Sequence, residues 1–542
     1  MRILFHLVSS KRCGAGPVTD TARTRPGTAY QIIAVLAACG LVLVPVCGSW
    51  GQAIEIGPSL SPLPIAQDAY EPAELLVEPA LQSPTLPSYI NPVALGDGRG
   101  GDAAKSLEDR LKDLEGKYAE LDENYSKLSD EHDALTEDVK TAATSGHSGS
   151  TAQVFGRIHL DHWAFPGDSP GVNAFENGDP TITPQDRLEI RRLRFGVQGD
   201  IWENMEYRLD MEFSGGNDPE FRDVYIGVND LPVLQTVLVG NQKRPYGLDH
   251  INSSRYNIFL ERPYIVEAFN QDNRRLGVQS WGYTEDLVWN WRYGVFNQRI
   301  IQDEGQYLSD HYQPELAGRL ANTFFWNCDG RNYGHWAVAG SIADPDASGL
   351  PGRATNEARF RTRGEVRSES RWLDTGIIDD ANDYGLLALE NVWTFGPLHV
   401  VGEYQTLWLD RDAPADLNFH GGYVYVAYTL TGEHVPWDRE TGQLGRLEPF
   451  ANFYPFTTCV EDQRTGWGAW QVAYRASYGD LSDEDVLGGV GRSHTAALLW
   501  YWNPWAKIVF NAVYGEIDEH EPVAGQTFGH YTGLGTRFMV DF

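Results

Sequence analysis

The stretch Met205–Phe213, with the sequence MEYRLDMEF, alternates between apolar or aromatic and charged side chains. Residues 287–296 and 507–514 repeat the alternation, with one apolar face and one largely polar or small face. A period of two residues is that of a β-strand, because successive side chains point to opposite faces. A soluble sandwich shows the same pattern, so the alternation predicts a β-protein without deciding whether water or lipid surrounds it.

Aromatic residues indicate that lipid covers the apolar face. Sixteen of the 17 tryptophans lie in residues 152–542, many near predicted strand ends, as in the aromatic girdles of outer-membrane barrels. The chain also ends on an alternating strand whose last residue is Phe542. In hydrocarbon every backbone N–H and C=O group must be paired, so a spanning sheet must close on itself. We therefore predict an all-β fold, a transmembrane antiparallel barrel of about 16 strands, over residues 152–542.

The composition excludes several other classes of protein. The 542 residues hold 43 Lys and Arg against 75 Asp and Glu, for a formal net charge of −32. Such an acidic chain is unsuited to nucleic acid, whose binding requires a basic surface. A hydrophobic content of 42% with 5 cysteines fits neither a helical membrane protein nor a small disulfide-stapled domain.

Three segments precede the predicted barrel, and the first resembles a secretory signal. Ile32–Cys47 carries no charged side chain, follows five Lys or Arg residues and precedes small residues. Residues 1–53 are therefore predicted to be a signal peptide that directs export, with a retained membrane anchor as the alternative. Cleavage would leave two cysteines, Cys328 and Cys459, either as a disulfide or as separate thiols.

The next two segments differ sharply in composition. Residues 54–104 hold eight prolines and end in a glycine-rich run, which predicts an extended linker. In residues 105–140, leucine recurs every seventh residue from Leu107 to Leu135. A second set of positions spaced by seven, from Leu111 to Val139, alternates with the leucines to form one heptad seam. This heptad pattern predicts an α-helical coiled coil that joins chains into an oligomer. Because both barrel termini should face the periplasm, the coiled coil is expected to lie there.

Arginines at alternate positions indicate a charged pore lining. Arg192 and Arg194 share one face of a predicted strand, while Leu193 and Phe195 take the opposite, lipid-facing side. Arg191 breaks the alternation, and a β-bulge would let it face inward as well. Guanidinium groups match the geometry of phosphate oxygens, so inward arginines at a constriction favour anions.

Several stretches of residues 152–542 resemble the phosphate- and polyphosphate-selective porins, the porin O/P family. The resemblance rests on the order and spacing of Arg191–Gly196, Gly240–Gly247, Glu261–Arg262, Arg274–Gly277, Leu430–Glu433, Trp500–Pro504 and the final Phe542. It implies a barrel of about 16 strands that assembles as a homotrimer with separate pores. It further implies an outer-membrane porin for passive diffusion of small solutes, including anions such as phosphate and polyphosphate.

The resemblance also implies which residues line the pore. Arg191, Arg192 and Lys243 would form the constriction, and Arg262 and Arg274 would line the approach to it. Interior arginines often pair with interior carboxylates, so each of these residues either contacts solute or only holds the barrel together. The acidic composition leaves the sign of the pore charge open.

No catalytic or cofactor-binding pattern accompanies these residues. The sequence contains no HExxH or CxxC motif, P-loop or dinucleotide-binding fingerprint, so we expect no enzyme activity, metal or cofactor. The expected partners are outer-membrane lipid, small solutes or anions, and further copies of the chain. The alternative function is a structural tether, in which the barrel anchors a coiled coil that contacts peptidoglycan or another periplasmic component.

Overall fold

The computed structural model describes residues 150–215, 219–270, 274–301, 312–345, 357–453 and 466–542, together with Lys112, Gly116, Lys117 and Lys127. The chain divides into two units, Met1–Ser145 and Gly146–Phe542, and the second contains the barrel. The four single residues are helical and exposed. The predicted signal peptide, the predicted linker and the rest of the predicted coiled coil lie outside the described residues.

Sixteen antiparallel strands form a closed barrel, as the alternation predicts. Arg157 lies opposite Asp541 where the first strand pairs with the last, so the first strand begins and the last strand ends on the same side of the barrel. The barrel strands are β1 (Gln153–Asp168), β2 (Arg187–Ile201), β3 (Met205–Glu212), β4 (Glu220–Leu231), β5 (Gln235–Lys243), β6 (Arg274–Tyr283), β7 (Trp289–Asn297), β8 (Pro314–Asn327), β9 (Asn332–Ala343), β12 (Ala381–Phe395), β13 (Leu398–Arg411), β14 (Leu417–Thr429), β17 (Ala469–Asp483), β18 (Val486–Asn503), β19 (Ala506–His520) and β20 (Gly529–Asp541).

Among the described residues, three short helices and two small hairpins lie in the connections between barrel strands. The helices are α1 (Pro170–Asn177) after β1, and α2 (Leu248–Ile251) and α3 (Tyr264–Phe269) after β5. The hairpins are β10 (Arg361–Thr362) with β11 (Leu373–Asp374), and β15 (Trp437–Asp438) with β16 (Gln443–Leu444). Among the described residues, no helix is long and apolar enough to cross a membrane.

The two faces of the barrel carry the reverse of what a soluble protein carries. The outer face exposes large apolar residues, among them Phe195, Leu209, Ile226, Val239 and Val295. The inner face buries charged residues, among them Arg157, Asp161, Glu212, Arg319 and Glu390. Lipid can surround the first set, while ion pairs and hydrogen bonds satisfy the second. This burial pattern is that of a transmembrane barrel.

One strand begins later than the alternation predicts. The pattern runs from Leu287, but β7 begins at Trp289 because Leu287 adopts a φ of 57° in the preceding turn. The N–H of Leu287 donates to the carbonyl of Thr284 at 2.8 Å and closes that turn. A leucine with positive φ is uncommon, and the alternation carries no signal for it.

The connection between β5 and β6 folds into the barrel, and its described residues, 244–270, are called the constriction loop. Its helix α3 packs on the inner wall at three glycines in matching register, Gly421 of β14, Gly479 of β17 and Gly491 of β18. A Cβ atom at Gly479 would lie 2.7 Å from the Cβ of Tyr264. The loop therefore approaches the wall only because this position lacks a side chain.

An apolar core fills the barrel between the constriction loop and the strands from β12 to β20, together with the adjoining β1. It includes Tyr264 and Ile265 of α3, together with Trp163, Phe419 and Tyr531 from the wall. Burial of these side chains stabilises the loop in the barrel interior, since each large apolar side chain contributes about 2 kcal/mol on leaving water. The space that remains open lies on the other side of the loop, along β1–β7.

Candidate functional site

A cavity of about 720 Å³ lies between the constriction loop and the wall formed by β1–β7. Among the described residues, twelve arginines and one lysine line it, against the four carboxylates of Glu212, Glu220, Asp223 and Glu267. The basic residues are Arg157, Arg191, Arg192, Arg194, Arg208, Arg222, Lys243, Arg262, Arg274, Arg292, Arg363, Arg367 and Arg371. An acidic chain thus concentrates positive charge around one interior space.

All six residues that the sequence predicts for the pore lie around this cavity. Three of them come from β2, where residues 190 and 192 pair with consecutive residues of β1, so Arg191 is the extra residue of a bulge. This is the bulge that the sequence predicts. Lys243 and Arg274 lie opposite each other on β5 and β6, and Arg262 lies in the constriction loop. Their role in selecting solutes stays a prediction.

Two of the six are bound by carboxylates of other barrel strands. Arg194 Nε donates to Glu212 at 2.7 Å. Arg274 donates to both oxygens of Asp223, at 3.0 and 2.7 Å. These pairs have the structural role that interior arginines often play, and each carboxylate cancels the charge of its partner locally.

Arg191 is bound to the constriction loop. Its Nε and Nη2 atoms donate to the two oxygens of Glu261 at 3.0 Å each, and Arg537 of β20 donates to the same carboxylate at 2.8 Å. Burial raises the pKa of the Glu261 carboxyl, but the charges of Arg191 and Arg537 outweigh burial and lower that pKa well below its usual value. The carboxylate therefore stays ionised and fastens the constriction loop to β2 and β20.

Lys243 and Arg262 hold the constriction loop at α2. Lys243 Nζ donates to the carbonyls of Ile251 and Asn252, at 2.8 and 2.7 Å. Arg262 lies 3.5 Å from Asp249. Carbonyl groups orient the ammonium without cancelling its charge, and within the described residues Lys243 forms no ion pair. Its positive charge therefore acts on the cavity that it lines.

Arg192 differs from the other five predicted residues in its partner. Its Nη1 lies 3.3 Å from Nδ1 of His159, which is fully buried on β1. Nearby carboxylates bind Arg191 and Arg537 instead. Within the part of the chain that the structure describes, Arg192 thus forms no ion pair, and it presents an uncompensated charge to the cavity.

Four further strand arginines line the cavity although the sequence did not mark them as pore residues: Arg157, Arg208, Arg222 and Arg292. Arg157 donates to the hydroxyl of Ser254 in the constriction loop at 2.8 Å, and Arg208 donates to Gln198 at 2.8 Å. Arg222 pairs with Glu220 at 2.6 Å, whereas the other three form no ion pair within the described residues. The alternation of the sequence could have identified these three arginines, since each occupies an inward-facing position of its strand.

A second connection that folds inward brings three more arginines to the cavity. Residues 357–380, between β9 and β12, place Arg363 at 3.2 Å and Arg371 at 3.8 Å from Glu267 of α3. Arg367 lies 2.7 Å from Glu189. The sequence shows five arginines within residues 359–371, a local excess of positive charge in an acidic chain. A loop has no periodicity to show which way its side chains point, so the sequence alone did not place them.

The described residues include a single cysteine and no metal-binding cluster. Within them, no group of three or more His, Cys, Asp or Glu side chains is placed to hold a metal ion. Cys328 is a free thiol exposed in the turn between β8 and β9, and it is not one of the residues that line the cavity. Cys459 lies outside the described residues.

Comparison with known proteins agrees with this architecture. The family model described as phosphate-selective porin O and P matches residues 170–542. Porin O of Pseudomonas aeruginosa is 26% identical over 417 residues, which cover 71% of this chain and 87% of Porin O.

Two other similarities are more limited. An uncharacterized protein of Caulobacter vibrioides is 28% identical over 350 residues, which cover 61% of this chain and 62% of that protein. This chain thus matches less than two thirds of the length of the Caulobacter protein. Among solved structures, an anion-selective porin from Comamonas acidovorans aligns at 10% identity with a TM-score of 0.42, over 72% of this chain and 100% of that one.

Proposed function

The chain belongs to the phosphate-selective porin O and P family of outer-membrane porins, which are channels and not enzymes, and we propose that its barrel conducts small anions, phosphate among them, by passive diffusion. The observation that carries the proposal is the charge of the cavity, where thirteen basic side chains face four carboxylates. A channel selects by the charges that line its narrow section, because an ion must exchange part of its hydration shell for the wall there.

The uncompensated cations are the main support for anion conduction. Five lining residues form no ion pair within the described residues: Arg157, Arg192, Arg208, Lys243 and Arg292. They come from five different strands, so a permeating anion would meet several positive charges in turn. A guanidinium group binds two phosphate oxygens at once in a bidentate arrangement, and the lysine ammonium acts as a point charge. Several weak sites in succession let an anion enter and also leave.

Conductance of the purified full chain in planar lipid bilayers tests this proposal. In a KCl gradient the reversal potential should follow chloride, and added millimolar phosphate should lower the chloride current in a saturable way. The second effect is expected because phosphate would occupy the same cations for longer than chloride does. A channel whose reversal potential follows potassium, and whose current is insensitive to phosphate, would contradict the proposal.

We also propose that three copies assemble, each with its own pore, and that residues 105–140 help assembly from the periplasm once residues 1–53 are removed. The support is the heptad seam, which keeps register over ten consecutive positions. Conductance should then appear in groups of three equal steps, and deletion of residues 54–140 should weaken the assembly. A deletion that leaves assembly and conductance intact but loosens the outer membrane from the layer beneath would favour the tether function instead.

A further inference from the structure

Arg192 lies beside two carboxylates that already bind other arginines. Glu261 accepts hydrogen bonds from Arg191, at 3.0 Å on each oxygen, and from Arg537 at 2.8 Å. Asp161 accepts from Arg537 on both oxygens, at 2.6 Å each. Three guanidinium groups therefore face two carboxylates, and the hydrogen bonds assign both carboxylates to Arg191 and Arg537. The remaining positive charge is that of Arg192.

The side chain that holds Arg192 is a buried histidine. His159 and Arg192 are direct partners in the pairing of β1 with β2, and Nη1 of Arg192 lies 3.3 Å from Nδ1 of His159. A guanidinium group only donates hydrogen bonds, so Nδ1 must accept and the ring proton must sit on Nε2. The ring in this tautomer is neutral. It orients the guanidinium without subtracting from its charge.

A carboxylate at the same position would have a different effect. Arg194, two residues along the same strand, is held by Glu212 at 2.7 Å, and that pair contributes no net charge to the cavity. Histidine and aspartate both offer an acceptor near this position on β1, but only aspartate would form an ion pair. The charge of the acceptor, and not only its presence, therefore decides how Arg192 acts on a passing ion.

We propose that His159 is a positioning residue for anion selectivity: as a neutral acceptor it fixes the Arg192 guanidinium toward the cavity and leaves its positive charge uncompensated. The inference rests on the proposed function of the channel and names a residue, outside the cavity lining itself, that tunes it. His159 is completely buried and does not line the cavity, so it acts through Arg192 and not by touching the permeating ion.

Three substitutions of His159 separate the effect of holding the Arg192 guanidinium in place from the effect of charge at this site. His159→Asn keeps a neutral acceptor, His159→Leu removes the acceptor, and His159→Asp replaces it with a negative charge of nearly the shape of asparagine. Each full-length variant is refolded, checked for the heat-resistant folded band on gels, and measured in planar bilayers. The two readouts are the chloride-to-potassium permeability ratio in a KCl gradient and the phosphate concentration that halves the chloride current.

The expected outcomes differ for each variant. His159→Asn should retain most of both properties. His159→Asp should lower the permeability ratio about five- to sixfold, since one unit charge roughly 8 Å from an ion in water changes the permeability of chloride and of potassium about 2.4-fold each, in opposite directions. His159→Leu should leave the permeability ratio near that of the wild type, because the charge remains. It should raise the half-blocking phosphate concentration, because the guanidinium is no longer held in place.

The proposal is overturned if the Asp variant keeps the wild-type permeability ratio, or if the Asn variant is as impaired as the Leu variant in phosphate block. A purely structural role for His159 would change the yield of folded protein in all three variants without separating Asn from Asp. The proposed function fails separately, if the wild-type channel itself shows no preference for anions. In that case the difference in permeability ratio between the Asn and Asp variants still shows whether the charge at position 159 acts on the permeating ion.

Discussion

The wall formed by β1–β7 faces the cavity with arginine, lysine and glutamine. The wall formed by β12–β20 packs buried leucine, phenylalanine and glycine against the constriction loop, and Glu403, Gln405 and Arg475 of this wall form hydrogen bonds with the loop. On the first wall Arg192 and Arg208 are half-buried beside the open space. On the second wall Leu407 and Phe419 are 0% exposed. Both walls turn apolar side chains outward, toward lipid. The inside of the barrel thus consists of two surfaces, one lined for ions and one built as a protein core.

This difference is visible along single strands. In β19 the inward residues Val509, Val513 and Ile517 are buried and apolar, although Lys507 and Asn511 on the same inward face are polar. An inward face that is largely apolar is typical of a sheet that is covered on that side. On β3, by contrast, the inward Arg208 is polar and the outward Leu209 is not. In a barrel sequence, the polarity of the inward-facing residues therefore indicates which wall is covered by a loop and which wall borders water.

The largest expected effect comes from placing a side chain at Gly479, where the wall contacts Tyr264 of the constriction loop. Gly479→Val should displace the constriction loop, because a Cβ atom there would lie 2.7 Å from the Cβ of Tyr264. We expect a loss of about 3 kcal/mol in unfolding free energy, as for an overpacked core, measured by urea titration of the refolded protein. Conductance should also change, since the loop borders the cavity.

Gly385→Val is the matched control for that substitution. Gly385 faces outward on β12, and the nearest atom to a Cβ there is the carbonyl oxygen of Ser341, at 3.8 Å. The same side chain should be accommodated at this position with little change in stability or conductance. Equal losses at the two positions would show that valine harms the strands in general, and that the packed wall does not depend on the glycine contact.

A smaller effect is expected on the cavity wall, where charge matters more than space. Arg194→Gln removes one cation and leaves the carboxylate of Glu212 beside the cavity without its 2.7 Å partner. One unit of charge roughly 8 Å away changes the permeability of chloride and of potassium about 2.4-fold each, in opposite directions, so the chloride-to-potassium permeability ratio should fall about five- to sixfold. Reversal potentials in a KCl gradient measure this ratio.

Adding Glu212→Gln to Arg194→Gln should restore most of the lost selectivity. The double variant removes a neutral pair, so the net charge of the cavity returns to that of the wild type. The difference between single and double variants isolates the contribution of charge from that of shape. A double variant as poorly selective as the single one would argue that the Arg194 side chain contacts the anion directly.

The smallest effect is expected on the outer face, which belongs to neither inner wall. Arg492 and Asp518 form an ion pair at 2.5 Å, with side chains 50% and 34% exposed. Arg492→Gln should reduce the unfolding free energy by less than about 1 kcal/mol, because exposed pairs contribute little. It should leave the reversal potential unchanged. A shift in reversal potential would mean that distant surface charge, and not the cavity lining, sets selectivity.

Much of the fold follows from sequence patterns. Alternation in Met205–Phe213 and the terminal strand predict a closed barrel, because a spanning sheet has no other way to pair its backbone. The positive φ of Leu287 and the glycine row under α3 were not predicted, because both depend on backbone positions that alternation does not encode. The predicted coiled coil over residues 105–140 stays a prediction.

The candidate site could be predicted only in part. Alternation places Arg192 and Arg194 on one face, and the break at Arg191 predicts the bulge. The partners of these residues could not be predicted, since Glu261 is 70 residues from Arg191 and comes from a loop with no periodicity. Charge compensation, which separates Arg192 from Arg194, is therefore a property of the folded chain.

The reversal potential of the wild-type channel in a KCl gradient at neutral pH tests the central claim most directly. The claim is that the cations of the cavity, and not the formal net charge of −32, decide which ions pass. The account predicts a reversal potential close to that of chloride, and a decline in this preference as salt screens the cavity charges. A reversal potential close to that of potassium would contradict it.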